Sequence, residues 1–116
     1  MYKNGDIVLV KFPFSDLKNS KVRPAVVISS DEVCQDQKDP ILLFISSVMM
    51  PDIEAYELVF LETHVDFKKS GLKKKSVFKP AKLATVERKF IRKKLGTLGD
   101  QIRKELREIT KNAIHL

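Results

Sequence analysis

The hydrophobic positions of this chain change their period once. Over the first 63 residues they fall in short runs broken by turn residues, which reads as a series of strands. Asp6–Phe12 is rich in β-branched and aliphatic residues, follows an Asn4-Gly5-Asp6 turn signal and stops at Pro13. Residues 13–22 (PFSDLKNSKV) show no period and read as a mobile connection. Pro24 forces Arg23 toward extended backbone, after which Ala25–Ser29 and Ile41–Ser46 are apolar throughout, the pattern of strands buried on both faces. Ser30–Pro40 between them is a polar loop or a single turn, and Glu54–Leu61 and Ser76–Val86 are further strands. Thr85 is placed to cap a short turn through Phe90, with Ile91–Leu95 following as an exposed strand. Helical spacing appears only at the end: Ile102, Leu106, Ile109 and Ala113 fall on one face, and Gly99-Asp100 supplies a start. The expected fold class is mainly β with a C-terminal α-helix, built as a small, strongly bent antiparallel sheet or barrel. There is no internal repeat.

Composition narrows this further. A chain of 116 residues, 43% apolar and 32% charged, predicts a single domain over residues 1–116 that folds without disulfides. The one cysteine, Cys34, excludes an internal bridge and favours a reducing compartment. The longest apolar run, Ile41–Ile45, is far short of the roughly 20 residues a membrane helix needs. The opening Met1–Asp6 lacks a leader's apolar region, so a soluble cytoplasmic protein is expected. The net charge is +7 and the pI about 9.6, but the distribution says more than the total. Lys68–Lys94 holds twelve Lys and Arg and one acid, Glu87, a net +11; the remainder holds ten bases and fourteen acids, a net −4. A long one-signed segment on an acidic body points to a polyanion, most simply nucleic acid, although a solvated lysine-rich face has the same composition.

The candidate chemistry is limited by what the chain lacks. With only His64 and His115, neither a histidine acid/base pair nor a three-histidine zinc site can be built. A Ser-His-Asp triad would need His64, yet no serine sits in a glycine elbow; Cys34 reads as a core or surface thiol, and the four glycines form no phosphate loop. Asp52 with Glu87-Arg88-Lys89 matches only the loosest pattern of a metal nuclease, and Glu87 reads better as a tempering charge among lysines. What remains is an arginine-and-hydroxyl site. Arg23 stands between the 13–22 connection and a buried strand, where a fixed stem suits phosphate recognition by the guanidinium fork. Ser46 and Ser47 end the neighbouring apolar strand. The competing explanation is an ion pair of Arg23 with Asp16 or Asp31, and serines that satisfy strand-end backbone groups.

The segments GDIVLVKFPFSD, KVRPAVVIS, LLFISS and GLKKKSVFKPAKLATVERKF, then KKLGTL and a terminal helix, resemble in order and over nearly the whole chain the MazF/PemK (Kid) family of toxin endoribonucleases. The resemblance implies an SH3-like barrel of the MazF/PemK/CcdB type with added helices, a homodimer, and a cognate antitoxin that blocks the RNA groove and binds DNA with the toxin. It implies cleavage of single-stranded RNA at short motifs without metal or other cofactor. In the family the arginine of the Arg-Pro step acts on the scissile phosphate, and Arg23 matches it; Ser46 keeps the hydroxyl of the family's usual threonine. Two departures stand out. The Arg-x-Asp pair that some members carry is Lys79-Pro80-Ala81 here, and the glutamate that other members carry before the arginine is absent, leaving Asp16 as the candidate base. Lys18, Lys21, Ser47, Lys74, Lys75, Lys79 and Lys82 are the expected RNA contacts. The alternative the departures leave open is a non-catalytic toxin or nucleic-acid-binding module of the same fold, of the gyrase-poisoning kind.

Overall fold

The computed structural model describes residues 2–11, 22–36, 38–47 and 53–116. In chain order these form β1 (Asp6–Lys11), β2 (Val22–Val27), α1 (Asp31–Gln35), β3 (Ile41–Ser46), β4 (Leu58–Phe60), α2 (Phe67–Ser70), β5 (Ser76–Thr85), a 3-10 turn (Arg88–Phe90), β6 (Ile91–Thr97) and α3 (Asp100–Thr110). The strands make one antiparallel sheet in the order β4-β5-β3-β2-β1-β6. β2 and β3 lie inside this order, which explains why Ala25–Val27 and Ile41–Ile45 are apolar throughout: Val26, Leu43 and Ile45 enter one core, and Ala25, Val27 and Leu42 enter the other. The first core is closed by Phe60, Phe67 and Phe78 with Leu98, Ile102 and Leu106; the second by Val86 and Ile91 with Cys34 of α1. A mainly β architecture with a C-terminal helix is thus what the chain adopts. Among the described residues no helix is long and apolar enough to cross a membrane.

The sheet is irregular where it matters for the site. Leu43 of β3 pairs with Leu83 of β5, but the next residue, Phe44, pairs with Lys79. One step on β3 therefore spans four on β5, and residues 80–82 bulge out of the ladder. Pro80 has no N–H to give a neighbour, so the break falls where the sequence cannot sustain pairing.

Several boundaries differ from expectation. Residues 30–40 contain the five-residue α1, whose N–H of Val33 donates to Ser30 Oγ at 3.3 Å. β4 covers only Leu58–Phe60, because the residues before it close a turn in which Glu57 N–H donates to the Glu54 carbonyl at 2.9 Å. Glu87, not Thr85, precedes the 3-10 turn, since Thr85 is still paired with Ile41 in β5. Ala113 falls beyond the end of α3. The helix α2 was not expected from the sequence; it ends at Gly71, whose φ of +76° and approach to the Leu95 carbonyl leave no room for a Cβ. Just before it, Asp66 Oδ2 accepts from Ile102 N–H at 2.8 Å, serving the first turn of α3 from a distant element. Gly99 makes this possible, because a Cβ there would stand 2.1 Å from the Asp66 carboxylate.

Candidate functional site

The β2–β3 register sets Ala25 opposite Phe44. Arg23 lies two residues before Ala25 on β2 and Ser46 two residues after Phe44 on β3, at the same end of the two strands. The β5 bulge then brings two cations to the same place. Arg23, Phe44, Ile45, Ser46, Lys79 and Lys82 line one open cleft of about 270 Å³. Arg23 and Lys82 are exposed, and Ser46 and Lys79 half-buried. Arg23 makes no ion pair among the described residues; Asp31, one of the two acids considered as its partner, instead accepts from Asn4 N–H at 2.9 Å.

Lys79 is held differently. Leu58 pairs with Phe78 across β4 and β5, so the preceding Glu57 stands opposite Lys79. Lys79 Nζ donates to Glu57 Oε2 at 3.2 Å, with side chains 16% and 9% exposed respectively. The other oxygen, Oε1, accepts from Glu54 N–H at 3.1 Å. Glu57 was not among the residues expected at the site. Its one signal, an acid directly before a short apolar run, becomes informative only with the β4–β5 register, which no local pattern in residues 61–75 reveals.

The remaining expected residues divide into three groups. Asp16, Lys18 and Lys21, like Asp52 of the metal pattern, lie outside the described residues. Ser47, Lys74 and Lys75 are exposed and do not line the cleft. They lie near it, however: Ser46 pairs with Val77, so Ser47 and the lysines before β5 share one end of the β3–β5 ladder. Three other cations of the basic segment, Arg88, Lys89 and Lys94, are engaged elsewhere. Arg88 donates to the carbonyls of Cys34 and Lys38 at 3.5 and 3.2 Å. Lys89 pairs with Glu87 at 3.3 Å, and Lys94 of β6 pairs with the buried Asp6 at 3.2 Å. β6 is separated from β5 by three strands, so Lys94 and the cleft-lining Lys79 and Lys82 stand on strands that do not pair.

Cys34 and His64 are held in structural contacts. Cys34 is 4% exposed, with Sγ 3.7 Å from Ser29 Oγ. His64 Nδ1 accepts from Asp66 N–H at 3.0 Å, which leaves the ring proton on Nε2 to be donated to Glu105 at 2.7 Å. That bond ties the segment after β4 to α3. Among the described residues no three His, Cys, Asp or Glu side chains converge on one point. A second hollow, of about 300 Å³ beneath α3, is lined by Val27, Leu43, Leu98 and Leu106 beside Arg103, whose guanidinium is bound to Asn4.

An Arg-Pro step opening β2, a hydroxyl ending β3 and a cationic β5 are the features that led to a family resemblance from sequence, and they meet in one cleft. The family model described as PemK-like, MazF-like toxin of type II toxin-antitoxin system matches residues 3–113. The chain belongs to this family. No curated protein matches it significantly. Solved structures share the MazF-like fold at low identity. An endoribonuclease in complex with its cognate antitoxin, from a mycobacterial species, superposes with a TM-score of 0.73 at 8% identity, over 97% of this chain and 94% of that one. The Mycobacterium tuberculosis toxin MazF-mt6 gives 0.71 at 18% identity, over 93% and 94%.

Proposed function

We propose that this MazF-like toxin is an endoribonuclease that cleaves single-stranded RNA by attack of the substrate's own 2′-hydroxyl. The observation that carries the reading is the convergence of Arg23, Ser46, Lys79 and Lys82 on one cleft. In the reaction the 2′-oxygen forms a bond to the adjacent phosphorus, its proton passes to a base, and the bond to the 5′-oxygen breaks as that oxygen takes up a proton. Neither an enzyme nucleophile nor a metal enters any step. Negative charge builds on the phosphorane oxygens, and fixed donors at that position contribute about 3 kcal/mol each. Arg23 is the main such donor, because a guanidinium stays protonated and offers its N–H groups in a fork that fits two phosphate oxygens. Ser46 orients the phosphate from the facing strand, and Lys82 adds charge at the rim. Asp16 is the proposed base.

Lys74, Lys75 and Ser47, at the adjoining end of the β3–β5 ladder, track the RNA backbone beyond the cleft, with Lys18 and Lys21 from the β1–β2 connection. A cognate antitoxin is the proposed inhibitor, and that one similar structure is a complex of this kind supports it. We further assign the protein to the cytoplasm, as a homodimer, with DNA bound through the antitoxin complex. A substrate carrying a single 2′-deoxynucleotide at the cleavage site tests the nucleophile. It is expected to bind within a few-fold of all-RNA and to remain uncut. Cleavage of that substrate, or of DNA, would remove internal attack as the mechanism.

A further inference from the structure

We infer that Glu57 is a positioning residue of the cleft, acting through Lys79; the inference rests on the ribonuclease reading above. Lys79 lines the cleft and Glu57 does not, so the carboxylate has its effect on substrate only through the ammonium it holds. Both carboxylate oxygens are engaged. Oε1 is fixed by Glu54 N–H at 3.1 Å, in a turn itself closed by the 2.9 Å bond from Glu57 N–H to the Glu54 carbonyl. Oε2 takes the Lys79 ammonium at 3.2 Å. Among the described residues this is the one carboxylate in contact with a cleft-lining cation.

Two consequences follow for how the cleft treats a phosphate. A lysine is ordinarily a flexible stem with a point charge, and anchoring one of its three N–H donors fixes where the other two can reach. The pair is also neutral as a unit, so Lys79 contributes direction without net attraction, which Lys82 supplies at the rim. Direction at the reacting phosphate governs turnover, whereas net charge governs RNA affinity and its salt dependence. Glu57 therefore raises turnover while lowering affinity, a split that a carboxylate serving only to tie β4 to β5 would not produce.

Glu57→Gln tests this, because the amide oxygen still accepts from Glu54 N–H while the charge is lost. The expected result is a kcat lower by about 10- to 100-fold with KM no higher than wild type. Binding of RNA made uncleavable by 2′-deoxy substitution is expected to weaken more steeply with salt, the slope of log K against log salt growing by about 0.7. Lys79→Met is expected to lower kcat by the same factor, and adding Glu57→Gln in that background should change kcat no further. Wild-type kcat in Glu57→Gln, an unchanged salt slope, or additive losses in the double variant each overturn the inference. Should Glu57→Gln fail to fold, Glu57→Asp is the second variant, since it keeps the charge and withdraws it from Lys79 Nζ: a lowered kcat with an unchanged salt slope supports the inference, and wild-type kcat overturns it. A wild-type protein with no ribonuclease activity would instead remove the reading beneath it, and the inference with it.

Discussion

Replacing Arg23 with alanine is expected to lower RNA cleavage by about 10²- to 10³-fold while leaving the thermal unfolding midpoint nearly unchanged. The loss is that of a donor aimed at charge that develops only in the transition state. The unchanged stability follows from its surroundings: Arg23 is exposed, lies at the start of β2 and makes no ion pair among the described residues. Surface substitutions of this kind stay within about 0.5 kcal/mol. Arg23→Lys is expected to recover only part of the rate, because a single ammonium cannot span two phosphate oxygens as the guanidinium does. Single-turnover cleavage assays beside circular-dichroism melts separate the two effects. Full activity in Arg23→Ala would take Arg23 out of the site.

The largest effect on folding is expected at Phe60, where alanine should cost about 3–5 kcal/mol. Phe60 is 0% exposed, and its ring centroid lies 5.1 Å from that of Phe67, 5.4 Å from that of Phe78 and 5.2 Å from the His64 ring. It joins the short β4 to β5 and α2, so the cavity has neighbours on several elements and little chance to collapse. Against a typical total stability of about 5–15 kcal/mol this is a large share. For a domain near 100 residues each kcal/mol moves the midpoint by roughly 4–8 °C. Urea unfolding of the variant measures the loss directly, and a cost under about 1 kcal/mol would mean that the ring is not part of a packed core.

What could be read from the sequence was whatever local chemistry decides. Ile41–Ser46 is bounded as expected because Pro40 precedes it and its residues feed two cores in alternation. Ile102 and Leu106 are buried on α3 as their spacing requires. Arg23 and Ser46 were legible for the same reason: proline restricts the backbone at one, and the other ends an unmistakable strand. Elements fixed by distant partners were not legible. α2 has four residues and no period of its own, and is held by Phe67 entering the core and by Gly71 against β6. The charge run over 68–94 pointed to a polyanion by its sign, without showing that Lys79 and Lys94 stand on strands that do not pair and have different acidic partners. Ala81 looked like the loss of an acid beside a cation. In the fold Ala81 sits in the β5 bulge, and the carboxylate beside Lys79 comes from Glu57, across the neighbouring strand.

Whether the Arg23 cleft cuts RNA by internal 2′-hydroxyl attack is decided by incubating the purified protein with single-stranded RNA in excess EDTA and identifying both new ends. Cleavage is expected, with a 2′,3′-cyclic phosphate on the upstream fragment and a 5′-hydroxyl on the downstream one. RNA left intact until Mg²⁺ is added, or fragments that carry a 5′-phosphate, would contradict it.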